Sequence, residues 1–239
     1  MGAKSQFAKT FLAAMDHHGA GRLADAERLY RLVCASEENA EALHRLAVIA
    51  QQLGRPDAIS LITRAARAAP KSAQIHNDQG VILASHGNIA ASIDCFERAV
   101  AINPNYLDAH NNLAHGLRNL GHLDRAKGHF KKILKRAPNS AMAWFNLAST
   151  LRPLGESVEA TECFKKAVSL QPDFAEAHIS LTALFQEINQ LPQALSHAER
   201  GVALRPKAAG AYNNLGNVLR AAGRLDDAIS AYEKAIVLD

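Results

Sequence analysis

Small and apolar residues along this chain fall into two helical stripes that recur every 34 residues, and proline keeps the count. Pro70, Pro104, Pro138, Pro172 and Pro206 are each 34 residues from the next. Proline stops a helix because it lacks an N–H and clashes with the preceding turn. A stop at constant spacing therefore marks one supersecondary unit repeated along the chain. With proline placed at position 32, positions 4, 7, 8 and 11 form the i, i+3, i+4, i+7 stripe of a first helix. Position 7 is Gln79, Leu113, Leu147, Leu181 and Leu215; position 8 is Gly80, Ala114, Ala148, Thr182 and Gly216. Position 15 is Gly87, Gly121, Gly155, Asn189 and Gly223, residues that tolerate the left-handed turn ending a helix. Positions 20, 24, 27 and 28 repeat the stripe on a second helix. Ser92, Ala126, Ala160, Ala194 and Ala228 stand at 20, and Phe96, Phe130, Phe164, Ala198 and Tyr232 at 24. The small residues predict a close helix crossing whose remaining space the position-24 ring fills.

A 34-residue helix-turn-helix with large residues at 4 and 7, small at 8, Gly near 15, Ala at 20, a ring at 24, Ala at 27 and Pro at 32 resembles the tetratricopeptide repeat. Ala141–Phe174 and Ala209–Asp239 carry the pattern most fully. The resemblance implies an all-α fold, a right-handed α-solenoid of about seven helix-turn-helix repeats. The copies fall at about 7–39, 40–72, 73–106, 107–140, 141–174, 175–208 and 209–239, forming one solenoid domain over 1–239. The second copy is one residue short between Gly54 and Ala58, and the first has acidic Glu37–Glu38 where proline is expected. Terminal repeats are often atypical because one face meets water. Pro153, at position 13, should bend or shorten the first helix of its repeat. The next proline in register would fall just past Asp239. The last copy thus reads as truncated, the chain as a piece of a longer protein, and Ile236 and Leu238 as uncovered. That uncovered end favours end-to-end self-association at high concentration.

The formal charge of +4 changes little, because Lys and Arg are scattered. The densest cluster, Lys127, Lys131, Lys132, Lys135 and Arg136, reads as a solvated helix face without interleaved aromatics on which bases could stack; no nucleic-acid partner is expected. Cys34, Cys95 and Cys163 read as reduced thiols of a cytoplasmic chain, since Cys95 and Cys163 share one position two repeats apart. Phe11–Met15 is too short for a secretory signal, Gln6 replaces the hydroxyl residue that myristoylation of Gly2 requires, and no apolar run approaches a membrane span.

Gly19–Ala24 (GAGRLA) fits a loose dinucleotide fingerprint but falls at a helix-turn-helix junction in phase with Gly121 and Gly223. His110, His115, His122 and His129 crowd the fourth copy. His110 shares position 4 with His76, His178, Trp144 and Tyr212 and reads as a packing ring; His115 and His122 lack the further ligands zinc needs. No nucleophile has a base and an orienting partner. No metal, cofactor or catalytic residue is expected, and the chain by itself does not read as an enzyme.

Positions 2, 5, 6, 9, 12 and 13 of the first helices lie opposite the packed stripe, on what the resemblance implies is the concave face where extended peptides lie. Position 6 reads Arg45, Asp78, Asn112, Asn146, Ser180 and Asn214; position 5 adds Asn77, Asn111 and Asn213; position 9 adds His115 and Asn217; position 12 adds Arg118, Arg152 and Arg220. An amide offers a donor and an acceptor to a peptide bond, and a guanidinium can grip a carboxylate or phosphate. The alternative is that the position-6 amides bond their neighbours in the stack. The frame nearest to a chaperone carboxylate clamp gives Asn77, Val81, Asn112, Met142 and Asn146, without the basic residues. The asparagines at 112, 146 and 214 are similar to the array of O-GlcNAc-transferase-like proteins, but Arg45, Asp78 and Ser180 break the series. Two functions follow: a protein-interaction scaffold with a peptide or protein partner in the groove, or the recruiting segment of a larger transferase.

Overall fold

The computed structural model describes residues 2–36 and 38–239; of the expected Glu37–Glu38 pair, Glu37 lies outside the described residues. Among those residues are fourteen α-helices and no strand. In the first half they are α1 (Gly2–Gly19), α2 (Leu23–Ser36), α3 (Ala40–Gln52), α4 (Ala58–Ala68), α5 (Ala73–Ser85), α6 (Ile89–Ile102) and α7 (Leu107–Asn119). In the second half they are α8 (Leu123–Arg136), α9 (Ala141–Leu151), α10 (Ser157–Leu170), α11 (Ala175–Glu187), α12 (Leu191–Leu204), α13 (Ala209–Ala221) and α14 (Leu225–Leu238).

The helix ends follow the punctuation. Gly87, Gly121, Gly155 and Gly223 have φ between 75 and 81°, and Asn189 takes the same region at 55°. Ser72 and Ser140 accept the N–H of Ile75 and of Ala143, capping α5 and α9. Pro153 has the expected effect. α9 stops at Leu151 after 11 residues, where α5, α7, α11 and α13 run to 13, and a 3-10 turn over Arg152–Leu154 replaces its last turn.

Two compact units divide the chain, Met1–Leu120 and Gly121–Asp239. In the first, α1 packs on α2, α3 on α4 and α5 on α6, and each second helix packs on the first helix that follows it. Tyr30, Leu43, Leu46, Ile49 and Ile62 are its largest buried side chains of the amino-terminal core. The ring of Phe96 lies against Gly80, so close that a Cβ there would sit 2.5 Å from Cε1. In the second unit the pairs are α9 with α10, α11 with α12 and α13 with α14, with α8 packed on α9. Phe164, Ala148 and Ala160 are all buried where α9 packs on α10, and Phe164 meets Phe145 with ring centroids 5.5 Å apart. The second unit repeats the glycine contact, with Tyr232 Cε1 2.6 Å from a Cβ built on Gly216. First helices also touch one another, α5 with α7 and α11 with α13. That contact brings their polar faces into register.

Candidate functional site

In the first unit the polar side chains at positions 5 and 6 bond from one first helix to the next. The buried His44 of α3 donates from Nε2 to Asp78 Oδ2 of α5 at 2.7 Å. Asn77 donates to Asp78 Oδ1 at 3.1 Å, and Asn112 of α7 donates to Asn77 Oδ1 at 3.0 Å. Four side chains on three helices thus form one hydrogen-bonded strip. Asn77 is 5% exposed, so its amide serves the stack. Buried polar groups require such partners. Asn112 and Asn111 remain half-buried. Sequence reasoning missed His44 and Asp78; the signal was polar complementarity between position 5 of one copy and position 6 of the next.

A second register links positions 12 and 13. Gln51 donates to Ser85 Oγ at 2.8 Å in the first unit, and Arg152 pairs with Glu187 in the second. Arg118 differs. Its Nη2 donates to His115 Nδ1 at 3.1 Å, one turn earlier on α7. Burial, with the Arg118 charge beside it, holds His115 below the usual imidazole range, so that ring accepts the bond as the neutral species. Burial also lowers the Arg118 guanidinium from its ordinary value.

In the second unit Asn146 is 5% exposed, Asn213 and Arg220 are exposed, and Asn214 and Asn217 are half-buried. Asn217 Oδ1 accepts from Tyr232 Oη at 2.8 Å, which ties position 9 to the ring at 24. The lysine cluster of α8 points to ion pairs, Lys127 with Glu156 and Asp124 and Lys131 with Glu159.

The position-4 rings carry a bond beyond packing. His76, His110 and His178 donate from Nε2 to the carbonyls of Pro70, Pro104 and Pro172 at 3.0, 3.0 and 3.2 Å. Trp144 Nε1 donates likewise to Pro138 O at 2.8 Å. The turn that ends one copy is thereby held by the next helix. The proline spacing located both ends of this bond, but not the bond. His178 has a further contact, with its Nδ1 2.9 Å from Nδ1 of His197, whose ring stacks on Phe185 at 5.5 Å. Since His178 donates from Nε2, its Nδ1 accepts, and His197 is the Nδ1–H tautomer. Burial, His178 and Lys165 push His197 down to about 4.

Cys34, Cys95 and Cys163 are free thiols. Among the described residues no three His, Cys, Asp or Glu side chains converge to hold a metal ion, and no helix is long and apolar enough to cross a membrane.

No curated protein matches the chain in sequence. A family model described as a tetratricopeptide repeat matches residues 55–106, 111–175 and 184–239. Among solved structures, the chain is similar to the C-terminal part of a TPR repeat-containing protein from Cytophaga hutchinsonii: 18% identity, 96% of this chain and 95% of that one, TM-score 0.77. A tetratricopeptide repeat protein from Parabacteroides merdae is 18% identical over 98% of this chain and 93% of its own, with a TM-score of 0.73. YrrB, described as a TPR protein with an unusual peptide-binding site, is 19% identical over 74% of this chain and 92% of its own, with a TM-score of 0.63. At these identities the likeness concerns the fold.

Proposed function

Because the chain belongs to the tetratricopeptide-repeat family, we propose that it is a protein-interaction scaffold that takes an extended peptide or protein segment along its first helices. One observation carries the reading. On these helices positions 4, 7, 8 and 11 are mostly buried, while the other face keeps Asn112, His115 and Arg118 in one unit, and Arg152, Asn213, Asn214, Asn217 and Arg220 in the other, at least partly accessible. Such a face suits a peptide backbone, which needs donors and acceptors at intervals and no deep cavity. The buried Asn77 and Asn146 set the spacing of neighbouring helices, and direct contact falls to the accessible residues, including Asn111. YrrB lends the mode of use, a peptide site on this fold.

The scaffold acts without catalysis of its own and without a nucleic-acid or membrane partner, and its three thiols suit the cytoplasm. The recruiting-segment reading rests on the position-6 amides, and Asn112 already gives one N–H to Asn77. Binding by the purified chain to an immobilised library of unstructured peptides tests the scaffold. Loss of one charge-assisted bond in Arg118→Ala or Arg220→Ala should weaken a selected peptide by roughly 1.5–3 kcal/mol. Crosslinks from bound peptide that fall only on the second helices would overturn the assignment of the face.

A further inference from the structure

Arg118 is set apart from Arg45 and Arg152, which also line first helices. Arg45 pairs with Glu41 at 2.8 Å and Arg152 with Glu187. Arg118 is half-buried, yet among the described residues its hydrogen bond goes to a neutral imidazole, and burial lowers its pKa. Partial burial of a charge is costly unless an opposite charge meets it. His115 cannot meet it, since it brings an acceptor nitrogen and no charge. Its acceptance from one Nη2 instead orients the guanidinium and leaves the remaining N–H donors for another group. The neighbouring strip is otherwise settled, because Asn112, Asn77, Asp78 and His44 bond one another. Val81, 42% exposed on the adjacent α5, adds an apolar surface for an aliphatic stem.

We infer that Arg118, steadied by His115, is an anchor for the carboxylate of a Glu or Asp side chain in the bound peptide, so that this face selects acidic segments. The inference rests on the scaffold reading and names its partner's chemistry. One guanidinium balances one carboxylate; a phosphate dianion would keep a negative charge that no other free cation of the strip offsets, because Arg45 is already engaged.

The test uses the full chain and short unstructured peptides in matched sets. Each Glu-containing member has a Gln twin, and each is made with a free and an amidated C-terminus; affinities come from fluorescence anisotropy. The wild-type chain should bind Glu members about tenfold or more tighter than their twins, the scale of one charge-assisted hydrogen bond. Arg118→Gln should erase that preference yet still bind the Gln twins, which shows that the variant is folded. Arg118→Lys should keep part of the preference, and Arg45→Gln all of it. Equal affinity for the twins, or a preference that survives in Arg118→Gln, overturns the anchor and leaves the scaffold standing. A preference that follows the free C-terminus instead of Glu overturns the side-chain assignment. Failure of the wild-type chain to bind any peptide overturns both readings.

Discussion

The buried His178 and the half-buried His197 share one proton-mediated contact, and it sets a pH dependence. The usual imidazole value is 6.5, and the folded-state value of His197 is about 4. Between these values the unfolded chain binds a proton that the folded chain refuses. The stability associated with His197 is therefore complete above its ordinary value and is lost as pH falls towards 4. His178, also lowered by burial, adds in the same direction. The positive charges of Arg200, beside His178, and of Lys165, beside His197, further favour the neutral rings. Urea midpoints should fall from neutral pH towards pH 4, and His197→Gln should flatten the fall; an unchanged slope would refute the assignment. This pair was not legible in the sequence, because positions 4 and 23 meet only once two helices cross. Asn189 was legible: it stands where glycine recurs, and its φ of 55° is what an asparagine tolerates best among residues with a side chain.

At the scale of the helix, spacing told almost everything and one proline told the exception. Pro153 removes an N–H from the last turn of its helix, and α9 ends two residues short of its counterparts. Pro153→Ala should extend α9 and slow amide exchange over residues 152–155, with a gain of at most about 3 kcal/mol. Unaltered exchange there would mean that Gly155, not Pro153, ends the helix. The crossing of α9 and α10 is tight at Ala160, which is fully buried. Ala160→Leu should therefore cost about 1–3 kcal/mol, read from denaturant unfolding. A neutral result would reveal slack that the packing does not show. Helix boundaries were readable because glycine and proline act within a turn of themselves. The strip from His44 to Asn112 was not, because its partners are 34 or 35 residues apart and each looks like an ordinary surface residue.

At the scale of the molecule, stability in such arrays is a sum of local terms and neighbour terms. α14 leaves Ile229, Ile236 and Val237 more than half exposed, whereas Leu238 is partly covered, contrary to the expectation that it would stand free with Ile236. Exposed apolar side chains on one helix favour contact with a second apolar face. Sedimentation should show association rising with concentration, and Ile236→Lys should suppress it. A chain that stays monomeric at high concentration would remove that surface from consideration.

The bond from the position-4 ring to the proline carbonyl also bears on how the chain would yield under tension. It fastens each turn to the helix that follows, so a pulled end releases a helix and the turn before it as one link. Tyr212 holds position 4 ahead of α14, and no ring N–H reaches Pro206 from it. Drawn from its carboxyl end in an optical trap, the molecule should give way at α13 and α14 first and at the lowest force. The links closed by His178, Trp144, His110 and His76 should then part as separate, higher steps.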